Sequence, residues 1–207
     1  MADCRQSTLV DIVQIQNCNL HNLPENYSMR FYLFHYLVNP ETTRCAVLPG
    51  TNKICGYVMS KIEEQVQNKK EDPHGNVTSV SVLRTHRKMG LATTLMKSVL
   101  RSLAEIYDSP YCTLHVRKSN EAAKHLYHCT LGYEVDEVVR SYFADGEDAY
   151  YMKVPTKREQ FKHVCPEIEQ LREVFRQKKA AEKELEKEKQ GDGKGGLLSA
   201  AKRRKKK

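Results

Sequence analysis

The sequence predicts an α+β domain, a mixed and mostly antiparallel sheet with helices on both faces. The main observation is the order of elements along the chain, which is two helices, two strands, a strand, a helix, a strand, a helix and two strands. A hydrophobic content of 40% in 207 residues is enough for one real core. The sequence has no internal repeats, so a stacked-repeat architecture is not expected.

Two helices are predicted before the first strand pair. Apolar residues recur at helical spacing behind the possible cap Ser7-Thr8: Leu9, Ile12, Val13 and Ile15. A loop over residues 19–25 follows. Residues 29–38 are rich in aromatic side chains and predict a second helix that Asn39-Pro40 ends. A short first strand near Cys4 is also possible.

Strand signals dominate the next segment. Residues 44–48 and 54–62 flank Pro49-Gly50-Thr51-Asn52, which predicts a β-hairpin. Residues 65–75 form a polar, charged loop. Residues 76–82 then alternate, with Thr78, Val80 and Val82 on one face, as expected for a strand.

The second half continues with a long amphipathic helix. Its apolar residues recur every three or four positions: Leu91, Leu95, Met96, Val99, Leu100 and Leu103. Residues 111–116 predict a strand and residues 121–129 a short helix. Residues 133–143 and 148–154 predict two strands joined by a turn through Ala144-Asp145-Gly146-Glu147.

Three regions are expected along the chain: a compact domain over residues 1–155, a charged helical extension over 156–190, and a flexible basic tail over 191–207. The net charge is +8, and the tail holds seven Lys or Arg and one Asp, which is +6 of it. The other 190 residues are therefore only +2. The run Lys202 to Lys207 could contact nucleic acid, act as a nuclear localisation signal, or only solubilise the protein.

Several classes of protein are disfavoured by composition. No apolar run approaches the roughly 18 residues that span a bilayer, and the N-terminus lacks the apolar stretch of a signal peptide. The seven cysteines are scattered and form no C-x-x-C pair. We therefore expect a soluble intracellular protein with reduced cysteines, no metal and no membrane partner.

The most informative stretch lies where residues 78–92 pass from a strand into a helix. The first N–H groups of a helix have no partner within it, and with the helix dipole they form an anion site suited to a diphosphate. Gly90 permits close approach of a ligand, and Arg87 and Lys88 add positive charge. The alternative interpretation is a glycine that serves only the backbone turn.

This stretch resembles a known family. Arg87-Lys88-Met89-Gly90-Leu91-Ala92 is similar to the R/Q-x-x-G-x-G/A signature of the Gcn5-related N-acetyltransferases. The resemblance implies that acetyl-CoA is the cosubstrate. It also implies that the loop amides bind the diphosphate while the preceding, bulged strand pairs with the pantetheine arm. Those roles fall to the following positions: Val80, Val82, Arg87, Lys88, Met89, Gly90, Leu91, Ala92 and Thr93.

A second block supports the same resemblance. Leu114 to Ala123, followed by Leu126-Tyr127, is similar to the strand-to-helix segment of the family. The resemblance implies that Asn120 contacts the pantetheine region. It places the Tyr127 hydroxyl near the sulfur, where it could protonate the departing thiolate. The alternative for Tyr127 is a core aromatic residue.

Further blocks resemble the catalytic subunits of N-terminal acetyltransferase A, over residues 9–153: Asn17 to Leu20, Leu23-Pro24-Glu25-Asn26-Tyr27, Asp72 to Gly75, His115 to Asn120 and Ala144 to Tyr150. The resemblance implies that Leu23 and Tyr27 shape the pocket for the first substrate residue. Glu25 would act in catalysis or substrate positioning, since a carboxylate can accept an ammonium proton. Tyr142 would contact the peptide backbone, and Phe143 departs from the usual second tyrosine. We interpret His115 as a structural histidine.

This resemblance implies direct transfer of acetyl to the α-amine of nascent polypeptides, in one ternary complex. Small first residues (Ser, Ala, Thr or Gly) would be preferred in complex and acidic N-termini when the subunit is alone. A large helical-repeat auxiliary subunit would bring the chain to ribosomes. The expected location is the cytoplasm, with the nucleus as a second site. Residues 31–36 either dock that subunit or fill the core.

Two other functions stay open from sequence. The same fold could acetylate the ε-amine of lysine or a small amine. A protein of another class, a non-catalytic adaptor that binds ribosomes or nucleic acid through its basic tail, would have no reason to bind acetyl-CoA.

Overall fold

Seven strands and four helices are seen in the computed structural model, which describes residues 2–64 and 72–156 together with residues 173, 177 and 180. The strands are β1 (Asp3–Gln6), β2 (Thr43–Val47), β3 (Ile54–Glu63), β4 (His74–Val82), β5 (Tyr111–Arg117), β6 (Glu134–Val139) and β7 (Ala149–Pro155). The helices are α1 (Asp11–Asn22), α2 (Met29–Val38), α3 (Leu91–Glu105) and α4 (Glu121–His125), the last continued by a π-helical turn over Leu126–Thr130.

The strands form one sheet in the order β1-β2-β3-β4-β5-β7-β6. Every neighbouring pair is antiparallel except β4 and β5, which are parallel. The predicted α+β class, with a mixed and mostly antiparallel sheet, is confirmed. The short first strand near Cys4 is also present and pairs with β2.

Two apolar clusters cover the two faces of the sheet, which confirms helices on both sides. On one face, Ile12 and Ile15 of α1 and Tyr32 of α2 pack against β2 and β3. On the other, α3 buries its apolar stripe completely at Leu95, Met96, Val99 and Leu103. Each large side chain buried in this way stabilises the fold by about 1.5–3 kcal/mol.

The prediction for the first helix was wrong at both ends. The helix begins at Asp11, whose carboxylate accepts hydrogen bonds from the N–H and hydroxyl of Thr8 and pairs with Arg5 at 2.6 Å. Leu9 and Val13 are exposed, at 52% and 63%, although the pattern had placed them with the apolar face. The helix also runs on through the expected loop to Asn22.

Two other boundaries differ from prediction. β4 begins at His74, inside the expected loop, and the His74 ring stacks on Tyr111 at 4.5 Å. The strand expected over residues 133–143 ends at Val139, because Ser141 has a φ of +50° and the chain turns there. The turn residues are held instead by contacts at the cleft, described below.

Of the predicted extension over 156–190, Thr156 is described, and Glu173, Gln177 and Ala180 are helical. The rest of that extension and the predicted tail over 191–207 lie outside the described residues. No helix in the described ranges is both long enough and apolar enough to cross a membrane. Among the described cysteines, Cys18, Cys45, Cys55 and Cys112 are buried and free, as expected for reduced core residues.

Candidate active site

The sheet opens between its two parallel strands. β4 and β5 pair only at Gly75–Cys112, Asn76–Thr113 and Val77–Leu114, after which each strand continues without the other. Opposite β3, the register steps from Ser79 to Val77, so that Thr78 is an extra, bulged residue. A cleft of about 430 Å³ lies at this opening and is lined by residues from both strands.

β4, whose residue Val80 lines the cleft, is followed by a loop rich in unpaired backbone donors. Gly90, with a φ of +76°, is the N-cap of α3, and Lys88 also has a positive φ of +61°. Within the described part of the chain, the N–H groups of residues 88–93 donate to no protein acceptor, and the first such bond runs from Thr94 N–H to Gly90 O. Together with the dipole of a 15-residue helix, these donors form an anion site.

Arg87 holds this loop in place. Its Nε donates to Val82 O at 3.0 Å and its Nη2 donates to Asn22 Oδ1 at 3.1 Å. Its own N–H approaches Arg84 O at 3.5 Å. The guanidinium therefore fastens the loop to β4 and to the end of α1, and the unpaired amides begin one residue later than the sequence motif suggested.

The other motif residues divide between the core and the surface. Leu91 and Val82 bury their side chains, whereas Met89 is 57% exposed and Lys88 is exposed. Ala92 and Thr93 are half-buried in the first turn of α3. Val80 lines the cleft.

Asn120 and Tyr127 both line the cleft, from the start of α4 and from the π-helical turn that follows it. Asn120 Oδ1 accepts a hydrogen bond from Ala123 N–H at 3.1 Å and so caps α4. The Tyr127 side chain is buried in the π-helical turn, edge-on to the Tyr133 ring. Burial raises the pKa of Tyr127 well above its usual value, so its hydroxyl keeps its proton.

The opposite end of the cleft is built from side chains. Leu23, Glu25 and Tyr27 line it from the loop after α1, and Tyr142 lines it from the turn between β6 and β7. The Tyr27 ring stacks on Phe31 at 4.2 Å. Burial, with smaller effects of nearby acidic groups, raises the pKa of both Tyr27 and Tyr142.

Arg117 is the centre of an ion-pair cluster that sequence reasoning missed. Its Nη2 and Nε lie 2.6 and 2.8 Å from Glu25 Oε1, and its Nη1 lies 2.7 Å from carboxylate oxygens of both Asp145 and Glu147. Hydrogen bonds from Ser119, and then from Arg117, lower the pKa of Glu147 to about 2. The cluster ties the Leu23–Tyr27 loop to the turn between β6 and β7.

Phe143 takes part in this cluster. The Arg117 guanidinium lies 4.1 Å from the centroid of the Phe143 ring, in a cation–π contact. The residue that departs from the family pattern thus supports Arg117 with its ring face and needs no hydroxyl to do so.

His115, interpreted from sequence as a structural histidine, lines the cleft. Its ring stacks on Tyr142 at 4.2 Å and is tilted against Tyr151 at 4.9 Å. Burial lowers the pKa of His115 below its usual 6.5, against the opposing effect of Glu63 and Glu137. The imidazole is therefore neutral near pH 7 and able to accept a proton.

Cys112 cannot serve as a nucleophile in its observed setting. The thiol is fully buried and accepts a hydrogen bond from the Tyr133 hydroxyl at 3.3 Å. Burial raises the pKa of Cys112 to about 12, so that almost no thiolate exists at neutral pH. In the described ranges, no group of three or more His, Cys, Asp or Glu side chains is arranged to hold a metal ion.

Comparison with known proteins gives a consistent result. The model of the acetyltransferase (GNAT) family matches residues 9–133. The chain is 47% identical over 150 residues to the N-terminal acetyltransferase A complex catalytic subunit ard1 of Schizosaccharomyces pombe, covering 72% of this chain and 83% of that protein. It is 45% identical over 160 residues to the N-terminal acetyltransferase A complex catalytic subunit NAA10 of Arabidopsis thaliana, covering 77% and 81%.

Solved structures agree. Chaetomium thermophilum Naa20, in complex with a bisubstrate analogue, superposes with a TM-score of 0.67 at 28% identity, covering 79% of this chain and 92% of that one. The family match spans more than half of the chain, and the two relatives exceed the similarity at which a common family is secure. The chain belongs to the acetyltransferase (GNAT) family and, within it, to the N-terminal acetyltransferase catalytic subunits.

Proposed function

We propose that this protein transfers the acetyl group of acetyl-CoA to the α-amine of protein N-termini. The observation that supports this most directly is a cleft where β4 and β5 part, with a carboxylate-bearing loop in its lining and, farther along the chain from β4, a loop of unpaired backbone amides. The amide loop, the cofactor end of the proposed site, suits a diphosphate, and the carboxylate loop, its substrate end, suits an ammonium group. Relatives at 45–47% identity are catalytic subunits of N-terminal acetyltransferase A complexes.

The cofactor end fits acetyl-CoA on two counts. The amides of residues 88–93 have no protein acceptor in the described ranges, and the gap between β4 and β5 leaves strand backbone free to pair with a pantetheine arm. The bulged residue Thr78 lines the cleft and has no ladder partner on β3, so its backbone amide is a candidate to polarise a carbonyl there. Acetyl-CoA supplies the activated thioester.

Glu25 is the proposed acceptor of the ammonium proton. A free α-amine has a pKa of about 8, so only about a tenth of it is neutral at pH 7. Arg117 engages Glu25 Oε1, which fixes the carboxylate at the mouth of the cleft. Held there, it can attract the ammonium and take its proton directly or through a water. His115 is a second group in the cleft with the protonation state of a base.

Direct transfer is supported over a covalent acetyl-enzyme. The thiol of Cys112 stays protonated and buried. Tyr127, which keeps its proton for the same physical reason, can donate a hydrogen bond to the departing thiolate from the α4 side of the cleft, while the proton that the amine loses restores the thiol. The side-by-side binding of both reactants supplies the advantage of proximity.

Substrate preference is proposed from the lining of the peptide end. The rings of Tyr27 and Tyr142, with Leu23, leave room for a small first side chain such as that of Ser, Ala, Thr or Gly. Lys61 also lines the cleft and pairs with Glu63 at 2.9 Å. An acidic first residue could replace Glu63 as its partner, which supports acetylation of acidic N-termini by the subunit alone.

The proposed auxiliary subunit, a large helical-repeat protein that recruits the enzyme to ribosomes, has a candidate surface on α1 and α2. Residues 31–36 have a mixed role: Tyr32 and His35 are buried, whereas Phe34 is 62% exposed. Exposed apolar residues lie on α1, on α2 and on the two residues before α1: Leu9, Val10, Val13, Leu20, Phe34, Leu37 and Val38. Such exposure is typical of a docking surface. Action on nascent chains implies a cytoplasmic location, with the nucleus as a second site.

Thiol release tests the proposed function. Full-length protein with acetyl-CoA should release CoA thiol on peptides that begin with Ser or Ala, and with Asp or Glu. N-blocked peptides that contain lysine should give a rate at least about tenfold lower, because the ε-amine, with a pKa of about 10.4, is less often neutral. A faster rate on the lysine peptides would make the protein an ε-amine acetyltransferase, and no thiol release with any amine would contradict the proposal.

A further inference from the structure

The hydroxyl of Tyr57 hydrogen-bonds a residue of α1 and a residue of β4, although Tyr57 itself does not line the cleft. Tyr57 belongs to β3, and its side chain is fully buried between the sheet and helices α1 and α2. Its oxygen accepts a hydrogen bond from Asn19 Nδ2 at 3.0 Å and lies 2.6 Å from Ser79 Oγ. Either Tyr57 or Ser79 can be the donor of this second bond, and the Tyr57 hydroxyl also interacts with the hydroxyl of Tyr32.

Asn19 connects this hydroxyl to the substrate loop. It is fully buried in the last turns of α1. The backbone carbonyl of Asn19 accepts a hydrogen bond at 2.9 Å from the N–H of Leu23, the first residue of the Leu23–Tyr27 loop. A displacement of Asn19 therefore shifts the point from which that loop, with Glu25, starts.

Ser79 connects the same hydroxyl to the thioester side. It directly follows the bulged residue Thr78, and both line the cleft. The conformation of a bulge is sensitive to its neighbours, because the extra residue has no ladder partner of its own. A hydrogen bond to the side chain next to it fixes where the bulge sits relative to β3.

We propose that Tyr57 is a positioning residue for acetyl transfer, whose hydroxyl sets the distance between the substrate loop and the bulge of β4. This rests on the proposed function. A fully buried group touches neither the peptide nor the acetyl group, so it acts through Asn19 and Ser79. Both contacts come from one oxygen, and the two ends of the site are therefore held to a common point.

Removal of the hydroxyl leaves two buried polar side chains without this partner. Asn19 and Ser79 would then shift to reach other hydrogen-bond partners. The Leu23–Tyr27 loop and the β4 bulge would no longer be held at a fixed distance from each other. A misplacement of about 1 Å at a reacting centre can cost up to about 100-fold in rate. Burial raises the pKa of Tyr57 to about 12, so the group keeps its proton across the assay range and its loss leaves the shape of the pH–rate profile unchanged.

The test is Tyr57→Phe in the full-length chain, assayed on a Ser-starting peptide. We expect kcat to fall by about 10-fold or more, with the KM for acetyl-CoA changed by less than about twofold. The loss should be equal at pH 6.5 and pH 8.5. A loss confined to one side of neutral pH would indicate proton transfer and overturn the positioning role.

Tyr107→Phe is the matched control. The Tyr107 hydroxyl also lies between two polar partners, donating to Glu41 at 2.6 Å and accepting from Asn39 Nδ2 at 3.5 Å. Tyr107 does not line the cleft. The control should lower the melting temperature but leave kcat within about twofold of wild type. Equal kcat values for the two variants would overturn the proposal.

Ser79→Ala keeps the test decisive if Tyr57→Phe does not fold. It removes only one of the two contacts and should lower kcat by a smaller factor, again without a change in the KM for acetyl-CoA. If both variants fold, the double variant should be no slower than Tyr57→Phe alone, since both changes break one connection. Additive losses, or an unchanged kcat for Ser79→Ala, would contradict the proposal. An inactive wild-type protein would instead contradict the proposed function.

Discussion

The two ends of the proposed site are built in opposite ways. At the proposed cofactor end, backbone amides of six consecutive residues have no acceptor among the described residues, and one glycine and one helix start place them. At the proposed substrate end, carboxylates from two distant segments meet on Arg117. Glu25 and Arg117 are 92 residues apart in sequence, yet their side chains are 2.6 Å apart.

This contrast has a consequence for what each end can tolerate. A site made of amides depends on backbone conformation and accepts many side chains at the same positions. A site made of ion pairs depends on each partner. Removal of the Arg117 guanidinium would take the ion-pair partner from three carboxylates at once. Substitutions should therefore separate the two ends by which kinetic parameter they change.

The largest expected effect is that of Glu25→Gln. Because a neutral amide cannot accept the ammonium proton, kcat for a Ser-starting peptide should fall by about 100-fold, with little change in the KM for acetyl-CoA. His115→Gln is the comparison and should lower kcat by less than about threefold. The reverse order of these two losses would move the proton acceptor from Glu25 to His115.

Arg117→Met tests whether the ion-pair cluster organises the substrate end. Loss of the charge-assisted hydrogen bonds to the part-buried Glu25, worth about 2 kcal/mol, should lower kcat/KM for the peptide by about 30-fold. The KM for acetyl-CoA should stay within about twofold of wild type. Lys118→Met is the control, because Lys118 is 4.0 Å from Asp148 and more exposed, and it should change neither parameter. A rise in the KM for acetyl-CoA with Arg117→Met would contradict the separation of the two ends.

Gly90→Val tests the backbone end. No atom lies within 4 Å of a Cβ built on Gly90, so the cost comes from its φ of +76°. A left-handed conformation costs a side chain about 1–2 kcal/mol, which corresponds to about a tenfold rise in the KM for acetyl-CoA. Gly146→Val, at a φ of +83° in the turn near Arg117, should instead raise the KM for the peptide. An equal effect of both variants on both substrates would remove the distinction.

The smallest expected effect is that of Phe143→Tyr. The tyrosine ring keeps its cation–π contact with Arg117, worth about 0.5–1 kcal/mol at exposed sites. Both KM values and kcat should remain within about twofold of wild type. A gain of tenfold or more in kcat would show that the second phenol of the family pattern takes part in the reaction.

The order of elements could be predicted because it depends on local patterns. The stripe from Leu91 to Leu103 has helical spacing, and all of it is buried or nearly so. Two of the errors lie where a distant contact decides the boundary, and the others lie where a local contact or a positive φ does. The expected loop at Asn19 is helical to Asn22, where the Asn19 amide bonds Tyr57 across 38 residues. His74 joins β4 where its ring can stack on Tyr111.

The candidate site was likewise predictable where its residues are contiguous in sequence, and not where they come from distant segments. The contiguous segment from Arg87 to Thr93 gives a recognisable motif, and its amides are unpaired from Lys88 onward. Arg117 was not identified, because no local pattern signals that a strand-end arginine meets Glu25, Asp145 and Glu147. His115 was interpreted as structural, since alternation alone does not show which face of β5 borders a gap in the sheet.

The parting of β4 and β5 after three residue pairs leaves the centre of the sheet incomplete without substrate. Backbone groups beyond Val77 and Leu114 have no partner strand on that side and depend on solvent or on a ligand. Bound acetyl-CoA would pair with these backbone groups. The melting temperature of the protein should therefore rise as the fraction of protein that carries acetyl-CoA rises. At a concentration about 100 times its Kd, such a ligand stabilises the native state by about 2.7 kcal/mol. The shelf life of the purified enzyme should therefore depend on its supply of substrate.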